Sequence, residues 1–148
     1  PSGAWLTAAG VGPDAAALRT STLEEPYTPY APICLRAGVL ALRSIADYFG
    51  IHYDPDPAPD APISVSREKY MVAYDRLLAA GVPVKADREQ AWRDLAGWRV
   101  NYDRVLITLA GLVMAPYAPW VSDRSPIEPM AHYGWGKRRV EITRRAQR

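Results

Sequence analysis

The chain has fourteen prolines in 148 residues, and their placement constrains its fold more than any other feature. Eleven fall in three groups, at 26, 29 and 32, at 55, 57, 59 and 62, and at 116, 119, 126 and 129. A proline donates no amide hydrogen bond and pushes the residue before it out of the helical region, so each group marks a connection. The segments between them carry helical periodicity, so the fold class expected is all-α, a helical bundle with Pro-rich connectors.

The first such segment is "PICLRAGVLALRSIADYFG". Leu35, Gly38, Val39, Leu42, Ile45, Ala46 and Phe49 recur at helical spacing, while Arg36, Arg43 and Asp47 share another side. This predicts a helix over about 31–49 that ends at Gly50, a residue suited to the left-handed C′ position. The alternating prolines and aspartates of "IHYDPDPAPDAPISV" then form an extended connector. A second helix is predicted at about 66–80, capped by Ser64 or Ser66, with Tyr70, Met71, Tyr74, Leu77 and Leu78 on one face and Gly81 at its end.

Asp87 followed by Gln90 has the form of a capping box. From there Trp92, Leu95, Trp98 or Arg99, Tyr102, Leu106, Leu109 and Val113 keep a three-four spacing. The expectation is one long central helix over about 88–115, roughly 40 Å from end to end, with the other two helices packed against it. Residues 1–26 are expected to be a poorly defined entry segment, its "SGAWLTAAG" the end of an upstream helix closed by Gly10. One domain covers 1–124, and 125–148 is a basic Pro/Arg-rich C-terminal tail.

The charge-free run from Val105 to Val121 is 17 residues long, at the lower limit of a membrane span. Its prolines and Tyr117 leave only Val105–Ala115 as apolar helix, which is the length of a buried core helix. The single cysteine, Cys34, has no partner in the chain, so no disulfide framework is expected and the compartment expected is cytoplasmic. The start at Pro1, with no leader-like segment, suggests a piece of a longer protein.

Catalytic chemistry is weakly represented. Cys34 and His52 form no orienting motif, and neither a nucleophile elbow nor a phosphate loop occurs. The two histidines stand eighty residues apart, and the aspartates at 54, 56 and 60 lack the glycine and glutamate of a calcium loop, so no metal and no cofactor is expected. Two surfaces remain. Trp98, Arg99 and Tyr102 lie at or beside the apolar stripe of the third helix, where they either anchor a partner or pack into the core with their polar ends outward. The segment 137–148 carries six basic residues against one acidic, leaving −3 for the rest of the chain. Lys137, Arg138, Arg139, Arg144 and Arg145, behind Tyr133 and Trp135, suit an anionic lipid surface or nucleic acid, against the default of a solvated tail.

The stretch "PYAPICLRAGVLALRSIADYFGI" and, after a connector and a helix, "WRDLAGWRVNYDRVLITLAGLVMAPYAPW" resemble the helical region behind the pore of bacterial two-transmembrane potassium-channel-like proteins. The resemblance covers about residues 27–124, and its most distinctive part is the Pro116–Trp120 ending. It implies a cytosolic, non-enzymatic regulatory or assembly domain, tethered at the cytoplasmic face to an upstream membrane pore and held in a homo-oligomer. The chain departs from the whole family pattern in having no selectivity-filter sequence such as T-V-G-Y-G, so by itself it conducts nothing. The alternatives are a small helical ligand-binding protein or hydrolase with an inter-helix pocket lined by Cys34, His52 or the tyrosines, and a lipid or nucleic-acid adaptor acting through the basic tail.

Overall fold

The structure, a computed structural model, describes residues 4–113. Five helices occupy them: α1 (Ala4–Thr22), α2 (Tyr30–Tyr48), α3 (Arg67–Ala79), α4 (Arg88–Arg99) and α5 (Asp103–Leu112). Among the described residues the all-α bundle is as expected, and the only strand-like pairing is an isolated antiparallel bridge between Leu23 and Val84. The domain boundary expected at 124/125 lies outside the described residues, as do Ala115 and Pro116.

Local chemistry explains four of the ten helix ends. Ser66 accepts a hydrogen bond from the amide of Lys69 and caps α3, while Asp87 accepts from the amide of Gln90 at 2.9 Å and caps α4. Only half of the capping box forms, because the Gln90 side chain donates to Asp94 instead. Gly50 and Gly81 take φ of 66° and 75° just past α2 and α3. There the amides of Ile51 and Val82 reach back to the carbonyls of Ala46 and Leu77, the closing bond of a Schellman motif that other residues form only with strain.

Two expectations are corrected. Residues 4–22 are not a loose entry segment but a full helix, and α1 packs against α2, α4 and α5, so it, not the third predicted helix, is the centre of the bundle. Gly10 does not close a helix; it lies within one. The inner stripe of α1 is Leu6, Gly10, Pro13, Ala17 and Ser21, all buried and spaced by threes and fours, but made mostly of small residues. Pro13 costs α1 a hydrogen bond. Gly12 before it has no Cβ to clash with the ring, and the ring fills the notch at Gly38, where an added Cβ would overlap Pro13.

The single helix predicted over 88–115 is two helices. It breaks at residues 100–102, where the amides of Asn101 and Tyr102 bond three residues back, to Trp98 and Arg99, and Tyr102 has φ of −139°. The break has long-range partners. Arg43 of α2 donates to the Asn101 carbonyl and to the Pro55 carbonyl, with its guanidinium over the Tyr53 ring, so α2, the Pro-rich connector and the break are tied at one point.

The core joins Leu6, Ala16 and Ala17 of α1, Leu35, Leu42 and Ala46 of α2, Tyr70, Met71 and Tyr74 of α3, Ala91 and Leu95 of α4, and Val105 and Leu109 of α5. Trp92 packs on Tyr70 with ring centroids 5.4 Å apart. Phe49 and Leu78, predicted to face inward, are exposed. Lys85 secures the C-terminal end of α1: its amide bonds the Thr22 carbonyl at 2.8 Å and its ammonium the Thr20 carbonyl at 3.0 Å, satisfying groups that a helix end leaves open.

Candidate functional site

The densest cluster of charged and polar side chains centres on Arg99, the last residue of α4. Its guanidinium donates to Asp14 of α1 and, at 2.7 Å, to Asp103 in the first turn of α5. Tyr102 donates its hydroxyl proton to the same Asp14 oxygen at 2.7 Å. Asp103 in turn accepts from the backbone amide and the hydroxyl of Ser64, at 2.7 and 2.6 Å. One cation, two carboxylates, a phenol and a serine therefore join α1, the Pro-rich connector, α4 and α5.

Burial makes this cluster matter. Arg99 is 4% exposed and Tyr102 1%. Burial alone works against a charged guanidinium, but the field of Asp14, its hydrogen bond and the field of Asp103 outweigh it, so Arg99 holds its proton more firmly than an ordinary arginine. Burial, then the negative charge of Asp14, push the Tyr102 phenol far above its ordinary range, which keeps it a neutral donor. Every polar side-chain group named here has a partner within the protein, with the guanidinium, the phenol and the serine hydroxyl all donating to the two carboxylates. The cluster is built to hold elements together.

Of the residues singled out in the sequence, Arg99 and Tyr102 come together in this interior cluster, which occupies their polar groups and takes them off the surface. Trp98 turns the other way and is 43% exposed. Cys34 and His52 are both exposed. From Cys34 to the end of α2 at Tyr48 is about 21 Å at 1.5 Å per residue, and the Ile51 amide still bonds Ala46, so His52 follows that far end and cannot meet the thiol. Among the described residues no group of histidines, cysteines or carboxylates could hold a metal ion, and no helix is long and apolar enough to cross a membrane. Lys137, Arg138, Arg139, Arg144 and Arg145 lie outside the described residues.

Asp14, Ser64 and Asp103 went unrecognised in the sequence because Asp14 and Arg99 are 85 positions apart. The only local signal was the i, i+4 spacing of Arg99 and Asp103. A second feature also escaped the periodicity. The side of α2 turned away from the core carries Tyr30, Ile33, Cys34, Ala37, Leu40, Ala41, Ser44 and Tyr48, all exposed and none charged. At 100° per residue these fall in one arc about 120° wide. The helix is thus apolar on two sides, with Arg36, Arg43 and Asp47 between them on one flank.

Protein-family models, curated proteins and solved structures contain no match to this chain.

Proposed function

We propose that this chain is a non-enzymatic assembly or regulatory domain, a rigid helical scaffold that presents one face for association. The observation that carries the reading is the outer face of α2, 19 residues of helix with eight exposed, uncharged positions in one arc. A helix of a self-contained monomer ordinarily turns charged and polar residues to water there. The Arg99 cluster supports the same reading, since its groups are spent on fixing α1, α4 and α5 and leave none aimed at a substrate.

The resemblance to the region behind the pore of potassium-channel-like proteins supplies the finer proposal: the domain sits at the cytoplasmic face, below a pore in the same polypeptide, and favours one oligomeric arrangement of it. Such a domain biases a pore only through contacts that differ between the pore's two states. The reading frame upstream of Pro1 tests this context. Two apolar spans around a pore loop are the expected finding, and a start codon immediately before Pro1 would refute it.

A further inference from the structure

We draw no further inference here: the strongest candidate, the exposed and uncharged outer face of α2, carries nothing, because nothing in the structure shows what covers it.

Discussion

Replacing Arg99 by methionine is the strongest test of the buried cluster. Methionine keeps most of the side-chain volume and removes the cation, leaving the Asp14 and Asp103 carboxylates facing one another with side-chain exposures of only 20% and 9%. Breaking a buried pair in this way costs about 3–5 kcal/mol, mainly because an uncompensated charge stays buried. Asp14 retains some contact with water, so the lower end applies, about 3 kcal/mol. Against a typical domain stability of roughly 5–15 kcal/mol this is a large fraction, and it corresponds to a fall in melting temperature of about 10–15 °C. Urea unfolding followed by circular dichroism measures it as a lower midpoint at unchanged slope. Asp14→Asn in the same chain removes one orphaned charge, so the two losses do not add and the coupling exceeds about 1 kcal/mol. A cost for Arg99→Met below about 1 kcal/mol, the range of surface pairs, or additive losses, would refute the argument.

Two further perturbations follow from the packing. Gly38→Ala gains helix propensity but drives a methyl into the Pro13 ring, and is expected to lose about 1 kcal/mol net, while Gly97→Ala, whose Cβ would meet only Pro59 at 3.9 Å, gains about 0.5–1 kcal/mol; thermal melts of the pair read the opposite signs. Burial raises the phenols of Tyr102 and Tyr70, so folding binds their protons more tightly than the unfolded chain does. Their contribution is complete below about pH 10 and is lost as the pH rises past it; Tyr102→Phe should lower stability at neutral pH by about 1 kcal/mol yet flatten the decline above pH 10 in a pH-resolved urea titration.

Helix ends were legible in the sequence wherever a single residue's chemistry decides them: Ser66 and Asp87 as caps, Gly50 and Gly81 as left-handed stops. Two features were hidden because distant partners override local preference. Gly10 and Pro13 look like punctuation, yet Gly10 leaves room for Leu106 and the flat Pro13 ring fills the notch at Gly38, and packing outweighs propensity there. The stretch "WRVNYD" reads as helix throughout, and what accompanies its break is Arg43 on the Asn101 carbonyl together with Arg99 and Tyr102 on Asp14, contacts that span 58 to 88 positions. Hydrophobic periodicity marked one side of α2 as core and said nothing of the other, because an uncharged face left exposed and one turned to the interior are written in the same kinds of residue.

The place of α1 at the centre of the bundle bears on how the chain is made. Its partners Lys85, Arg99 and Tyr102 are all translated long after it, with bonds that span 65 to 88 positions. At about 5–20 residues per second, the ribosome takes roughly 4–18 s to travel from Asp14 to Asp103. Over most of that interval the first helix has no Arg99 for its aspartate and no Lys85 for its terminal carbonyls. The domain therefore completes its fold late, and a truncation before residue 103 strands its centre.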